Sequence, residues 1–214
     1  MNPKRGSRVA VAALVASSAL LAACSLNPKE DPTRYYVLSS LMDEPGLLEA
    51  GGLPAEGGAG SAIHLRVGVR PVSFPSYLKR SRMVTRLASN ELEYMETERW
   101  GEPLEEAFHY TLGVNLGVML GTDDVILHPW YATEKPDYAV MVDVVRFERD
   151  QQGAAHLVVR WELRDAEGEV ITSDGFRAEE DAEPSSIRES VRAQSRTVAA
   201  LSGQIAEAIQ KAAS

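Results

Sequence analysis

The sequence predicts an α+β fold, with a mixed, largely antiparallel sheet and two helices packed on one of its faces. Segments of alternating apolar residues predict strands, and two segments with apolar residues every three or four positions predict helices. Their order along the chain is strands, helix, strands, helix. With 214 residues, of which 44% are hydrophobic and 25% charged, the chain has a globular composition and can bury a core without disulfides.

The predicted strands are short runs of β-branched and aromatic residues bounded by turn residues. Two hairpins are expected, one around Ser89-Asn90 and a longer one around residues 151–153. The strands are predicted at residues 34–38, 63–69, 83–87, 91–95, 125–127, 138–149, 155–165 and 169–177. The apolar face of the longer hairpin would carry Tyr138, Val140, Val142 and Val144 from its first strand and Leu157, Val159, Trp161 and Leu163 from its second.

Two segments predict the helices that would cover the sheet. The first begins at Pro103, which suits a first helical turn, and ends at Gly121, which suits a C-cap. Gly113 and Gly117 within it predict close packing against the sheet. A capping box formed by Ser186 and Glu189 predicts the start of the second helix. The apolar positions are Leu104, Phe108, Leu112, Leu116 and Leu120 in the first helix and Ile187, Val191, Val198, Leu201, Ile205 and Ile209 in the second.

The N-terminus has the features of a secretory signal peptide followed by a lipid attachment site. Residues 1–23 carry a basic start and then an apolar stretch that is too short for a bilayer span of roughly 20 residues. Leu21-Ala22-Ala23-Cys24 matches a bacterial lipobox, in which the cysteine thiol receives a diacylglyceryl group and the new N-terminus an acyl chain such as palmitate. Ser25, where some lipoproteins have Asp, favours export to the outer membrane. The alternative is a signal peptide that ends beside an unmodified cysteine.

Cleavage after residue 23 would leave a mature chain of 191 residues with a net charge of −12. Residues 24–33 are predicted to form the lipidated N-terminus and a tether, and residues 34–214 a single domain. Residues 42–61 are predicted to be a Gly-rich loop within that domain, and their glycines lack the spacing of a phosphate-binding loop. The acidic charge argues against nucleic acid as a partner and against adhesion to an anionic membrane by charge alone.

The motifs in the sequence do not indicate an enzyme, a metal site or a cofactor other than the covalent lipid on Cys24. The histidines lack the HxxxH or HExxH spacing of metal ligands, and the GxSxG motif of many hydrolases is not found. Neighbouring acids at residues 105–106, 123–124 and 179–181 are interpreted as solvated faces. The four histidines are His64, His109, His128 and His156.

One segment is locally basic in this acidic chain, and we interpret it as a candidate contact region. Residues 75–86 (PSYLKRSRMVTR) contain four cations, which would either meet an anionic headgroup or an acidic partner, or balance nearby acids in a solvated loop. Two tryptophans lie beside turn-forming Gly or Pro residues, where a tryptophan is either an interface anchor or part of the core. The residues hypothesised to bind a partner are Tyr77, Arg80, Arg86, Trp100 and Trp130.

Eight short motifs follow one another along the chain. They are residues 21–24 (LAAC), 35–38 (YYVL), 75–80 (PSYLKR), 83–86 (MVTR), 99–104 (RWGEPL), 129–130 (PW), 137–138 (DY) and 143–147 (DVVRF). No single motif decides a family, but together and in this order they resemble the ABC-type transport auxiliary lipoproteins, the PqiC-like family. The resemblance spans most of the mature chain.

The resemblance implies a lipid-anchored protein of the outer membrane that faces the periplasm and serves an MCE-type intermembrane lipid transport system. In such a system an MCE assembly bridges the periplasm, and the lipoprotein would dock its distal end. Residues 42–61 are an insertion relative to the family pattern, so the choice of partner stays open. The resemblance also admits a homo-oligomer, which the residues alone do not predict.

Two other functions stay open from the sequence. One is an assembly factor for an outer-membrane protein or envelope complex, with no role in lipid transport. The other is an envelope hydrolase that uses scattered acids. Crosslinking that recovers an outer-membrane protein alone would favour the first, and turnover abolished by one carboxylate substitution would favour the second.

The lipid anchor can be tested with Cys24→Ser. Each buried CH₂ contributes about 0.8 kcal/mol to membrane binding, so two or three acyl chains hold a protein far more firmly than one myristoyl chain. We expect the wild-type chain to incorporate labelled palmitate and Cys24→Ser to remain unlabelled. Ser25→Ala is the matched control and should be labelled like the wild type. A wild-type chain without label would contradict the anchor.

Overall fold

The structure is a computed structural model that describes residues 31–44, 46–47, 65–131 and 133–214. The predicted signal peptide, Cys24 and most of the tether lie outside these ranges, as do residues 48–61 of the predicted Gly-rich loop. The fold described below is that of the unit Thr33–Ser214.

The described residues form eight strands and two long helices in the predicted order of strands, helix, strands, helix. This architecture confirms the α+β class with a mixed sheet. A short 3₁₀ helix, Ser76–Leu78, precedes the third strand. The strands are β1 (Arg34–Tyr36), β2 (Val67–Val69), β3 (Arg82–Ala88), β4 (Glu91–Trp100), β5 (Val125–Leu127), β6 (Tyr138–Asp150), β7 (Ala155–Asp165) and β8 (Val170–Glu180), and the helices are α1 (Leu104–Leu120) and α2 (Ile187–Ala212).

Strand β6 organises the sheet because it pairs along both edges. One edge pairs with β7 in antiparallel fashion over almost the whole strand, and β8 continues the sheet beyond β7. The other edge pairs in parallel with β2 at residues 138–140 and with β3 at residues 149–150. Strand β5 then extends β2, while β4 and β1 extend β3. The two predicted hairpins, β3–β4 and β6–β7, are confirmed.

The helix boundaries follow from local sequence signals. Helix α1 begins after Pro103 and ends at Gly121, whose φ of 63° and ψ of 36° give the left-handed C-cap that glycine adopts readily. Helix α2 begins after Ser186, whose Oγ accepts a hydrogen bond from the Glu189 backbone N–H at 3.2 Å. Both predicted starts are therefore confirmed. Within the described ranges, neither helix has a stretch long and apolar enough to cross a bilayer.

Both helices pack on the same face of the sheet and bury its apolar residues. Phe108 of α1 contacts Phe74 and Phe147 edge to face, with ring centroids 5.5 and 5.3 Å away. Gly113 lets α1 approach β5, since a Cβ there would lie 2.5 Å from Leu127 Cδ2, which confirms the packing predicted from the glycine pair. The buried residues of β6 and β7 on this face are Val140, Val142, Val144, Phe147, Leu157, Val159, Trp161 and Leu163.

A β-bulge in β6 changes which residues of the strand face the helices. Val144 and Arg146 oppose consecutive residues of β7, so Val145 is an extra residue in β6. Val144 faces the core before the bulge and Phe147 faces it after the bulge. Arg146 and Glu148 therefore lie on the opposite face, which the helices leave uncovered. Uninterrupted alternation would have directed Arg146 into the core.

The turns at Gly153 and Gly168 predict a measurable difference in stability. Both have a φ of 90°, which costs a residue with a side chain about 1–2 kcal/mol. A Cβ on Gly153 would also lie 2.8 Å from the Pro184 Cα, whereas a Cβ on Gly168 would meet nothing within 4 Å. We expect Gly168→Ala to lower the free energy of unfolding by about 1 kcal/mol and Gly153→Ala by at least about twice as much in urea denaturation. Equal losses would contradict the contact with residue 184.

Candidate functional site

The carboxylate of Glu148 lies on the face of the sheet that the helices leave uncovered. It is nevertheless fully buried, and it accepts four hydrogen bonds. Its Oε1 accepts from Arg86 Nε at 2.5 Å and from Arg146 Nε at 2.9 Å. Its Oε2 accepts from the Tyr77 hydroxyl at 2.7 Å and from the Phe147 backbone N–H at 3.1 Å. Two residues hypothesised from the sequence, Tyr77 and Arg86, therefore bind one carboxylate that the sequence analysis did not single out.

These hydrogen bonds keep Glu148 ionised. Burial by itself would raise the pKa of Glu148, but the hydrogen bonds from Arg86, Tyr77 and Arg146 outweigh it, so this pKa lies below the usual value for glutamate. Burial, and then the hydrogen bond to Glu148, raise the pKa of Tyr77. The Tyr77 hydroxyl consequently stays protonated and remains a donor.

The partners of Glu148 come from separate elements, so the network fixes their relative positions. Tyr77 lies in the 3₁₀ helix, Arg86 in β3, and Arg146 and Glu148 in β6. The locally basic segment of residues 75–86 is thus held against β6 rather than extended into solvent. Arg86 is largely buried by this arrangement, with 17% of its side chain exposed.

Arg80 differs from these residues because it stays at the surface. Its guanidinium carbon lies 5.1 Å from the centre of the Tyr94 ring, within range of a cation–π interaction. The Tyr94 hydroxyl in turn donates a hydrogen bond to the Tyr77 carbonyl at 3.2 Å. A chain of contacts therefore connects the exposed Arg80 to the buried network around Glu148.

Three arginines surround Val158 on the uncovered face. Val158 opposes Arg146 of β6 on one side and Arg177 of β8 on the other. Arg160 lies two residues further along β7 and therefore on the same face. Among the described residues, the side chains of Arg160 and Arg177 form no ion pair or hydrogen bond. We call Arg80, Arg146, Arg160 and Arg177 the arginine surface.

Exposed apolar residues border the arginine surface. Met141 and Val145 of β6 are both partly open to solvent, at 36% and 39%. Asp143 lies between them and opposes Arg160 in the register, yet the two side chains form no ion pair within the part of the chain that the structure describes. Arginine next to exposed apolar groups is a composition typical of protein interfaces. The arrangement is therefore suited to binding a partner surface that carries acids.

Comparison with protein families shows the family to which the chain belongs. The family model described as "ABC-type transport auxiliary lipoprotein component" matches residues 48–206. The chain belongs to this family. The match confirms the resemblance seen in the sequence and makes the protein an auxiliary component of transport.

Solved structures share the fold of this auxiliary lipoprotein. One is a crystal structure of an uncharacterized protein, with a TM-score of 0.64 and 20% identity, covering 83% of this chain and 98% of that one. Another is protein XCC0632 from Xanthomonas campestris, with a TM-score of 0.61 and 16% identity, covering 73% and 92%. At these identities the likeness shows the fold alone. A comparison with curated proteins finds no match.

Neither of the two hypothesised tryptophans is among the hydrogen-bond donors of Glu148. Trp100 is buried in the core of the lipoprotein and leaves little surface for a partner. Trp130 is half-buried and packs over Gly68, where a Cβ would lie 3.0 Å from its ring. The guanidinium carbon of Arg70 lies 5.8 Å from the Trp130 ring centre. Of the two, Trp130 keeps exposed surface, at the β2–β5 end of the sheet.

Two of the three histidines in the described ranges have hydrogen-bonding partners, and the third, His128, contacts the Trp130 ring edge to face. His156 Nε2 lies 2.9 Å from Asp150 Oδ2, and His109 Nε2 lies 2.8 Å from the Val69 carbonyl oxygen. In the ranges that the structure describes, no three His, Cys, Asp or Glu side chains are placed to hold a metal ion. His64 lies outside those ranges.

Sequence reasoning missed most of the arginine surface. Arg160 alternates with the buried Trp161 in a predicted strand, so its position on the polar face was available from the pattern alone. Arg146 and Glu148 gave no such signal because the bulge at Val145 determines the face on which they lie.

The network around Glu148 predicts a pH-dependent loss of stability. The pKa of Glu148 in the fold lies below the value of about 4.3 expected in the unfolded chain, so its ionisation stabilises the fold above that pH and ceases to do so as pH falls through the folded pKa. We expect Glu148→Gln to lower the free energy of unfolding at pH 7 by about 3 kcal/mol. The difference from the wild type should shrink as the pH is lowered below about 4.

Glu162→Gln provides the control for this measurement. Glu162 pairs with Arg164 at 2.6 Å, but it is 40% exposed, and exposed pairs contribute about 0–1 kcal/mol. Urea denaturation of both variants between pH 3 and 7 gives the comparison. A Glu148→Gln effect as small as that of the control would show that the network does not hold the fold together.

Proposed function

We propose that this protein is the outer-membrane-anchored lipoprotein subunit of an MCE-type intermembrane lipid transport system. Facing the periplasm, it would dock the transporter assembly at the outer membrane and would have no enzymatic activity. Membership of the transport auxiliary lipoprotein family supports the general role. The arginine surface supports docking as the way in which the role is carried out.

Anchoring in this proposal depends on Cys24. Its acyl chains would hold the protein at the membrane, while residues 25–33 give the domain reach. Nine extended residues span at most about 30 Å, because each residue contributes roughly 3.3–3.6 Å. The domain would therefore stay close to the bilayer and meet the end of an assembly that crosses the periplasm.

Docking in this proposal depends on the unpaired cations of β7 and β8. The mature chain would carry a net charge of −12, yet Arg160 and Arg177 lie without acidic partners among the described residues. An acidic partner surface would supply the missing charges and would speed association through long-range attraction. The exposed Met141 and Val145 add apolar area at the same place.

Tyr77 and Arg86 have a positioning role in this proposal. Both are bound to Glu148, and Arg146 uses its Nε for the same carboxylate. The network fixes the backbone that presents Arg80 and Arg146. Both carboxylate oxygens of Glu148 accept hydrogen bonds from protein donors. In this proposal the network therefore stabilises the fold and does not bind or convert a substrate.

The proposal predicts that charge reversal at Arg160 and Arg177 weakens binding to the MCE partner. Losing desolvated charge pairs costs about 2–5 kcal/mol, so the double variant Arg160→Glu/Arg177→Glu should bind at least about tenfold more weakly. Co-purification of the tagged mature lipoprotein with its MCE partner from membranes, followed by a titration, measures this. Arg80→Glu tests the remaining exposed member of the surface in the same way.

A charge-matched variant controls for the change in net charge. Lys135→Glu/Lys211→Glu reverses two cations that lie outside the arginine surface, and it should bind like the wild type. Unchanged binding of Arg160→Glu/Arg177→Glu would exclude the arginine surface as the docking site. Recovery of an outer-membrane protein without any MCE protein would favour the assembly-factor alternative. Charge reversal at Arg86 is unsuitable because it would break the Glu148 network.

A further inference from the structure

A second exposed group of cations lies where the chain enters the sheet. Tyr35 of β1 opposes Arg99 of β4, and Arg99 opposes Arg82 of β3. Directly opposed residues on neighbouring strands have side chains on the same face, with Cβ atoms about 4.5–5.5 Å apart. Tyr35, Arg99 and Arg82 therefore form a row across three strands, which we call the β1 row.

The residues of the β1 row are open to solvent and lack acidic partners. Tyr35 is 66% exposed, Arg82 is exposed and Arg99 is half-buried. Arg99 Nη1 lies 3.5 Å from Ser81 Oγ, and within the described residues neither Arg82 nor Arg99 forms an ion pair. The neighbouring Arg34, by contrast, is paired with the buried Glu98 at 2.7 Å. The row thus presents unpaired charge beside a large aromatic ring.

We propose that the β1 row rests on the anionic headgroups of the membrane that holds the lipidated N-terminus. This inference depends on the lipid anchor of the proposed function and adds the orientation of the domain on the bilayer. Its occupant is a lipid surface, and the two observations that select it are the position of the row along the chain and the sign of its charge.

The row follows the anchor closely along the chain. The domain begins at Thr33, and Tyr35 follows Cys24 by eleven residues. Eleven extended residues span at most about 40 Å, and any bend in the tether shortens that distance. Strand β1 is therefore the strand nearest to the anchor along the chain, and the tether limits how far it can move from the attachment point.

The charge of the row then selects the orientation. The mature domain is strongly acidic and is repelled by an anionic leaflet, except where unpaired cations face the lipid. Arg82 and Arg99 provide such cations at the anchored end. Tyr35 adds an amphipathic ring of the kind that is enriched at membrane–water interfaces. The exposed Val37, two residues further along, supplies apolar area beside the row.

This orientation also leaves Arg160 and Arg177 of the arginine surface accessible. In the strand order, the β1 row lies on β1, β4 and β3, whereas Arg160 and Arg177 lie on β7 and β8, beyond β6. The membrane and a periplasmic partner would therefore contact different strands of the same sheet.

Fluorescence quenching by labelled lipid headgroups tests the orientation. Cys24 is the single cysteine of the chain and is acylated in the proposed mature form, so a cysteine placed elsewhere can be labelled alone. We compare Tyr35→Cys with Tyr131→Cys, in which a 78% exposed tyrosine after β5 is replaced at the other end of the strand order. The mature lipidated chain is reconstituted in phosphatidylglycerol–phosphatidylethanolamine vesicles that contain headgroup-quencher lipid. We expect at least about threefold stronger quenching at position 35 than at position 131.

The charge requirement is tested in the same vesicles. Adding Arg82→Glu/Arg99→Glu to Tyr35→Cys should lower quenching at position 35 by at least half, as should replacement of phosphatidylglycerol by phosphatidylcholine. Lys135→Glu/Lys211→Glu is the charge-matched control and should leave quenching unchanged. Arg82→Gln/Arg99→Gln, which removes the charge but keeps polar side chains, should give an intermediate loss and guards against a failure to fold.

The outcomes separate this inference from the proposed function. A wild-type chain that does not stay in the vesicles would show that the lipid anchor is absent, and the proposed function would fall with it. A chain that is anchored but equally quenched at positions 35 and 131 would overturn the orientation alone. Quenching at position 35 that ignores both charge reversal and lipid charge would exclude the contact between the β1 row and anionic headgroups.

Discussion

One buried carboxylate determines how the basic part of this protein is presented. Glu148 lies on the face of the sheet without helices, where a buried charge is tolerated because hydrogen-bond donors surround it. Some of those donors belong to β6 itself, and the others belong to the 3₁₀ helix and β3, which lie more than 60 residues before Glu148 in the chain. The carboxylate therefore joins the 3₁₀ helix and β3 to β6. The parallel β3–β6 pairing itself consists of two residue pairs. Removing the carboxylate would remove the hydrogen bonds that join Tyr77 and Arg86 to β6.

The fold could be predicted from the sequence wherever a local signal determines structure. Pro103, Gly121 and Ser186 mark helix ends through their own backbone and side-chain chemistry, and alternation identified the β6–β7 hairpin. The parallel pairings of β6 with β2 and β3 leave no local trace, because their partners are distant in sequence. The same limit applies to the candidate site. Composition pointed to Tyr77 and Arg86, but the carboxylate that binds them becomes apparent only once the bulge in β6 is known.

The bulge at Val145 links the core to the surface of the sheet. By inserting one residue, it lets Phe147 join Phe108 in the core while Arg146 and Glu148 turn to the opposite face. A single irregularity therefore completes the apolar contact with α1 and creates the polar network on the other side. β-Bulges commonly redirect side chains in this way near functional sites. An uninterrupted β6 would bury Arg146 beneath the helices, at the cost of leaving a charge unpaired in the core.

Salt should weaken interactions made by the arginine surface and the β1 row more than it weakens the buried network around Glu148. Exposed charges are screened over about 8–10 Å at physiological ionic strength, whereas the buried Glu148 and its partners are shielded much less by ions. Binding through Arg160, Arg177 or the β1 row would therefore weaken as salt rises, while the scaffold that presents them keeps its shape. The acidic remainder of the chain adds to this selectivity, because it repels anionic surfaces that do not meet one of the two cationic groups. In the proposed function, in which the protein connects a bilayer to a transporter, attraction at two defined places and repulsion elsewhere would favour a single orientation.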